Sequence, residues 1–371
     1  MEQGARNTLY KLLSTVSLLL LLGAIVLAPC VDATVSEGNI ELQNSQKRRN
    51  NSWGAGTHAV SSEPGQLVRR RLAALVSPQP LVLPYHNGPI LSGKNNITKL
   101  YIIFYGEFSK IQRYTVRKFL RSLAPPRHRA RASIPTVAKW WEITKGFQDV
   151  YGESVAQLLI PSGEIQDQMY SRGMNLNQTD IEALVLNSLT TFDISARSLY
   201  IVVTASDVAV TGFCQEACGQ HGYLYPSDTT GGQMLPYVWV GDASTQCPGL
   251  CCWPFANLNY TFMENTQDEP LRPPSGDVGA DGMVINLATL IAGAATDPYQ
   301  NAYYEGDAGA PVEAAEACRG IFGQGAYAGY PGDLRQDNAT GVSFNVIGFH
   351  GAKFLLPWMW NPMTFACAGQ A

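Results

Sequence analysis

Charge is scarce in this chain. Asp, Glu, Lys and Arg make up 15% of its 371 residues, against about 25% in an average soluble protein. Histidine is scarcer, with five copies, none of them four residues from another, so the two-histidine zinc clip of a helix is missing. There is no G-x-S-x-G elbow, since Gly341-Val342-Ser343-Phe344-Asn345 lacks the last glycine. The phosphate-loop pattern fails at Asn95, which follows Gly93-Lys94 where a magnesium-binding Ser or Thr is needed. Gly323-Gln324-Gly325 opens a dinucleotide turn with no suitable strand before it. A net charge of −4 excludes a general polyanion binder and argues against nucleic acid as a partner. These patterns nominate no catalytic residue, cofactor or metal. Paired carboxylates remain open, because such pairs are brought together by folding and leave no local trace.

What is present points outward. Arg6 and Lys11 precede an apolar run from Leu12 to Ala28, and Val31-Asp32-Ala33 offers compact residues at a cleavage site. Residues 1–33 therefore read as a secretory signal peptide. No later stretch reads as a bilayer span, so no membrane span is expected after cleavage. Residues 34–80 form a flexible basic arm with Lys47-Arg48-Arg49 and Arg69-Arg70-Arg71, either of which could be a processing site. Export favours disulfides over metal sites. Cys214, Cys218, Cys247, Cys251, Cys318 and Cys367 are expected to form three bridges with the pairing open, and Cys252 is the expected spare thiol. A metal clip of Cys214/Cys218 with Cys247/Cys251 is the alternative if the thiols stay reduced. Five sequons, at Asn50, Asn96, Asn177, Asn259 and Asn338, fit a secreted glycoprotein.

Order is expected from residue 81 to 371. Ile97–Phe104, Ser198–Thr204 and Leu235–Val240 are β-branched and apolar, as buried strands are. Ser109 and Gln112 form a capping-box pair ahead of a helix whose apolar face is Ile111, Val116, Phe119, Leu120 and Leu123. Further helices are expected at Thr136–Thr144, Thr179–Leu189 and Val278–Ala295. The pattern predicts an α/β fold, one large disulfide-bonded domain with a mixed sheet. Between Ser109 and Lys145 there are ten Lys and Arg against Glu142 alone. Such a face could meet an acidic polymer through Arg113, Arg117 and Arg121. Trp140 and Trp141, with Trp239, Trp253, Trp358 and Trp360, could stack on sugars.

The ordered blocks Tyr85-His86-Asn87-Gly88-Pro89, Ile102-Ile103-Phe104-Tyr105-Gly106, Trp140-Trp141, Gly212-Phe213-Cys214, Cys247-Pro248-Gly249, Trp253-Pro254-Phe255 and Gly282–Leu290 resemble those of the plant EXORDIUM family. The resemblance covers most residues from Leu83 to Cys367. It implies a protein of the apoplast or cell wall, implicated in brassinosteroid-linked growth and cell expansion, and it brings no active site. Locally, the stretch Val284–Ala295 resembles the zinc-site helix of secreted metalloprotease-like proteins. Asn286, Leu287, Ala288, Thr289 and Leu290 stand where metal ligands and a base would be, so the fold would be a degenerate zincin-like scaffold. The leading reading is a binding protein for cell-wall polysaccharide or an extracellular protein. The rival is a secreted hydrolase, metal- or carboxylate-dependent, in which two carboxylates, or His221 with Asp297, Glu305 or Asp307, converge. A signalling precursor cut at Arg49 or Arg71 is a third reading.

Overall fold

The computed structural model describes residues 82–125, 135–215, 217–257, 269–307 and 311–371. The signal segment, the basic arm and the sequons Asn50 and Asn259 lie outside the described residues. The first strand, β1 (Ile97–Tyr105), is buried along nearly its whole length, as expected of a strand inside a parallel sheet. Helix α1 (Lys110–Ser122) starts on the capping box foreseen in the sequence. The Gln112 N–H donates to Ser109 Oγ at 3.1 Å, and the Ser109 N–H donates to Gln112 Oε1 at 2.8 Å. Its Val116, Phe119 and Leu120 are buried. A short helix α2 (Val137–Trp141) runs into a 3-10 turn over Glu142–Gly146.

The chain returns in β2 (Leu158–Asp167), parallel to β1. Pro161 lies within β2, and a residue without an N–H is tolerated there because β2 is an edge strand. A short bridge of β3 (Asn175–Leu176) with β5 (Ala209–Val210) flanks helix α3 (Gln178–Ser188), capped by Asn177. Strand β4 (Leu199–Thr204) pairs with β1 on the side away from β2. Strands β6 (Gly219–Leu224) and β7 (Leu235–Gly241) form an antiparallel pair, and β7 lies parallel to β4. The sheet order is β2-β1-β4-β7-β6, four parallel strands with one antiparallel edge. The reversal at β1 sends the two crossover helices to opposite faces when both connections are right-handed. Accordingly α3 packs on β1 and β4, while α1 meets a long helix, α5, that covers β6 and β7.

A four-residue helix, α4 (Pro248–Cys251), precedes α5 (Val278–Thr296). By length and hydropathy α5 could cross a bilayer, a property the sequence reading did not assign to it. Fifteen of its nineteen residues are buried in the protein, so its apolar composition is that of a core helix. Glycine makes the packing close. A Cβ at Gly219 of β6 would stand 2.4 Å from the Trp239 carbonyl oxygen and 2.7 Å from Leu290 of α5.

Among the described residues three disulfides form, Cys214–Cys247, Cys218–Cys251 and Cys318–Cys367. The first two tie both ends of a four-residue step before β6 to both ends of α4. Cys252 is free and fully buried. Burial, then the nearby acids Asp242, Asp277 and Asp281, push its thiol up to about 12, so it holds little thiolate at neutral pH.

The Cys318–Cys367 bridge spans 49 residues of sequence. Replacing both cysteines by alanine should lower the unfolding free energy by roughly 2–4 kcal/mol, read from denaturant midpoints. An unchanged midpoint would show that the C-terminal strands hold without it.

Candidate functional site

Pleating divides the residues of β6 between two environments. His221, opposite Val238, projects toward α5; Gln220, opposite Trp239, projects to the other face. On the α5 side His221 is buried, and its Nε2 meets both oxygens of Glu313, at 2.8 and 2.7 Å. A Cβ at Gly293 of α5 would stand 2.2 Å from Glu313 Oε2, so the helix can pass this pair only as glycine. Burial alone would lower the His221 pKa. Glu313, helped by Asp297 and Glu316, more than reverses this and raises it above the ordinary value. Asp297, at the end of α5, receives the N–H groups of Asn301 and Ala302 on Oδ1, both at 2.7 Å. Burial, opposed by the Ala302 N–H and assisted by the Glu313 charge, raises its carboxyl. Glu316 is raised chiefly by burial and next by Glu313.

Over α5 opens a cleft of about 270 Å³ lined by Asn286, Thr289 and Leu290 with Trp253, Glu316 and Arg319. Leu287 points into the core instead. Asn286 Nδ2 donates to the Cys251 carbonyl at 2.8 Å, and Thr289 Oγ1 to the Ile285 carbonyl at 3.2 Å. Both polar side chains that α5 turns to this cleft thus bond to backbone carbonyls. Among the described residues, no group of three or more His, Cys, Asp or Glu stands where it could hold a metal ion.

The opposite face is different. Helix α3 covers β1 and β4, and the β6–β7 end of that face forms a groove of about 510 Å³. Behind it lie the edges of Trp239 and Tyr237, 5% and 2% exposed, which back the groove without offering an open stacking face. Its walls are Asn177, Gln178 and Thr179 at the start of α3, Thr211 and Gln215 of the loop after β5, and Gln220 of β6. Trp239 Nε1 donates to Thr204 Oγ1 at 3.1 Å, and Phe213 meets its ring edge-on at 5.7 Å between centroids, so the indole is held rigidly. Gln178, Thr179, Thr211, Gln215 and Gln220 are exposed. No Asp, Glu or His is among the described residues lining this groove. Amides and hydroxyls both give and accept hydrogen bonds. A wall of them backed by aromatic edges suits a neutral, hydroxyl-rich ligand.

Comparison with known proteins agrees with the ordered blocks. The family described as "Phosphate-induced protein 1 conserved region" matches residues 83–370. The chain belongs to this family, that of the EXORDIUM proteins. Protein EXORDIUM-like 2 of Arabidopsis thaliana is 42% identical over 80% of this chain and 92% of its own length. Protein PHOSPHATE-INDUCED 1 of Nicotiana tabacum is 42% identical over 81% of this chain and 92% of its own. Protein EXORDIUM of Arabidopsis thaliana is 40% identical, with the same two coverages as the tobacco protein. No solved structure matches.

In this EXORDIUM-family chain the residues singled out from sequence scatter. Trp140 and Trp141 are not surface platforms; each is 1% exposed. Their indole N–H groups donate to the carbonyls of Pro357 and Ala156, at 2.7 and 2.9 Å, so both rings belong to the core. Arg117 is bound in a fork by Glu164 of β2, and Arg113 donates to the Phe108 carbonyl. Arg121 stays exposed. Asn96, Asn177 and Asn338 are all exposed. His221 meets Glu313 rather than Glu305 or Asp307, of which Asp307 is exposed. The sequence reading missed Glu313, Gln178, Thr211, Gln215 and Gln220. Only the alternation along β6 could have flagged Gln220, and two glycines in six residues obscured it.

Two outcomes follow from the polar interior. Truncating His221 to alanine should cost roughly 3–5 kcal/mol of stability, since it leaves Glu313 buried without its partner; a loss under 1 kcal/mol would mean that Glu313 is neutral there. Asp281, in the first turn of α5, receives the Ser275 N–H and hydroxyl, yet burial pushes its carboxyl up to about 7. A folded pKa above the unfolded value of about 3.9 gives a contribution to stability that is full below pH 4 and lost as pH rises through 7. Asp281→Asn should therefore flatten the decline in unfolding free energy between pH 5 and 8, as measured by denaturant titration at each pH.

Proposed function

We propose that this EXORDIUM-family protein works outside the cell, in the apoplast and cell wall, by holding a neutral wall carbohydrate without turning it over. The observation that carries the reading is the groove beside α3, in which amides and hydroxyls surround Trp239 and Tyr237 and carboxylates are missing from the described lining. Pockets that fix orientation through a few placed polar groups over an apolar floor are the common design of ligand sites. The signal-like start, the sequons and the disulfides support export. A part in brassinosteroid-linked growth and cell expansion belongs to the same proposal and rests on the family resemblance. So does a zincin-like origin of the fold, supported by the arrangement of α5 beside an antiparallel edge strand.

An acidic polymer is less well served. Arg117 is already neutralised by Glu164, which leaves a thinner basic face on α1 than the sequence suggested. For the hydrolase alternative, the pair nearest to acid–base chemistry, His221 with Glu313, is buried at 7% and 4% exposure, out of contact with a polymer.

Secreted protein with its N-glycans trimmed should bind a soluble neutral wall oligosaccharide, such as a xyloglucan or cellulose fragment, in isothermal titration calorimetry. Removing two hydrogen-bonding amides, in Gln178→Ala with Gln220→Ala, should weaken binding about tenfold, at about 0.5–1.5 kcal/mol per bond. Equal affinity of the variant and the parent would discard the groove as the site, and release of reducing ends from the oligosaccharide would discard binding without turnover.

A further inference from the structure

The groove beside α3 contains a sequon. Asn177-Gln178-Thr179 contributes all three of its residues to the lining, whereas the exposed sequon asparagines Asn96 and Asn338 lie elsewhere. Asn177 is also the N-cap of α3. It caps through Oδ1, which receives the Asp180 N–H at 3.1 Å and the Thr179 hydroxyl at 2.6 Å. Its backbone N–H donates to Asp180 Oδ2 at 3.0 Å, closing the reciprocal box. The cap thus holds Asn177 rigidly at the groove wall through its oxygen, and substitution at the nitrogen, Nδ2, leaves every one of these bonds intact.

We propose that Asn177 carries an N-linked glycan whose first sugars occupy this groove, so that the protein is secreted with its carbohydrate site filled by its own carbohydrate. The proposal rests on the reading of the groove as a sugar site and on export through a glycosylating pathway. Attachment forms a C–N bond between Nδ2 and the anomeric carbon of an oligosaccharide carried on a lipid pyrophosphate; the pyrophosphate leaves and the amide gives up one proton. The chemistry of the groove does not distinguish a tethered sugar from a free one, because amides and hydroxyls recognise both alike. Tethering decides the competition. A ligand on a short flexible link meets its site at an effective concentration in the millimolar range, so a free oligosaccharide of millimolar affinity is held off until the tethered one is removed. The site would then be opened by an extracellular glycosidase that trims the Asn177 glycan.

Glycopeptide mass spectrometry of the full secreted chain should find Asn177 occupied. In calorimetry with the same neutral oligosaccharide, three forms should separate: the untrimmed parent, the parent trimmed by an endoglycosidase that leaves one sugar, and the parent sequence made in an oxidising host without N-glycosylation, which keeps Asn177 and Thr179 in the groove wall. With a millimolar effective concentration set against a millimolar affinity, both glycan-poor forms should bind about two- to fivefold more tightly than the untrimmed parent, and Thr179→Ser, which preserves sequon and hydroxyl, should behave as the parent. An unoccupied Asn177, or equal binding by trimmed and untrimmed protein, overturns the gating and leaves the groove as an open sugar site. Failure of all forms to bind, with Asn177 occupied, overturns the sugar-site reading itself.

Discussion

A helix that is apolar on nearly every side has to be enclosed on every side, because each exposed strip costs about 25 cal/mol per Å² left in water. Helix α5 is such an element, and the protein is arranged around it. The β6–β7 pair lies under it, α1 flanks it, and Gly282 lets Cys252 come so close that a Cβ there would stand 2.5 Å from the sulfur. The glycines that permit this packing also leave room for polar groups. Gly293 makes space for Glu313, which holds His221 in the interior. Helix α5 together with α1 therefore covers this face of the sheet, and its enclosure places the His221–Glu313 pair in the core.

The consequence falls on the opposite face. Helix α3 lies over β1 and β4, and a helix about 10 Å across spans about two strands spaced about 4.8 Å apart, which leaves the rest of this face of the five-stranded sheet uncovered by it. The uncovered end, above β6 and β7, is where the groove forms. Its amides and hydroxyls come from three separated segments, the α3 start, the loop after β5 and the edge strand, so the site is a product of sheet order rather than of any local motif. The same order explains why the Asn177 sequon, an unremarkable surface tripeptide in the sequence, stands at the wall of a groove.

Recognition of the family needed only the sequence. The buried strands β1, β4 and β7 and the helices α1, α3 and α5 were legible because their apolar periodicity and caps are local properties. Strand β2 was not, since Pro161 and Gly163 break its pattern, a tolerance that belongs to an edge strand. Strand β6 was hidden for a similar reason, with Gly219 and Gly222 between cysteines. The sequence offers Trp140 and Trp141 only as candidates for stacking, since nothing local distinguishes a stacking indole from a buried one; the decision lies with the carbonyls of Pro357 and Ala156 that receive their N–H groups.

By itself the sequence determined the class of fold and the even set of six bonded cysteines with Cys252 left over, because each depends on residue type and on spacing along the chain. Only the tertiary structure decided which cysteines pair, that His221 belongs to Glu313, and that a polar groove lies beside α3. Those outcomes depend on contacts between residues 33 to 92 positions apart, and separations of that length are set by the order in which strands join the sheet.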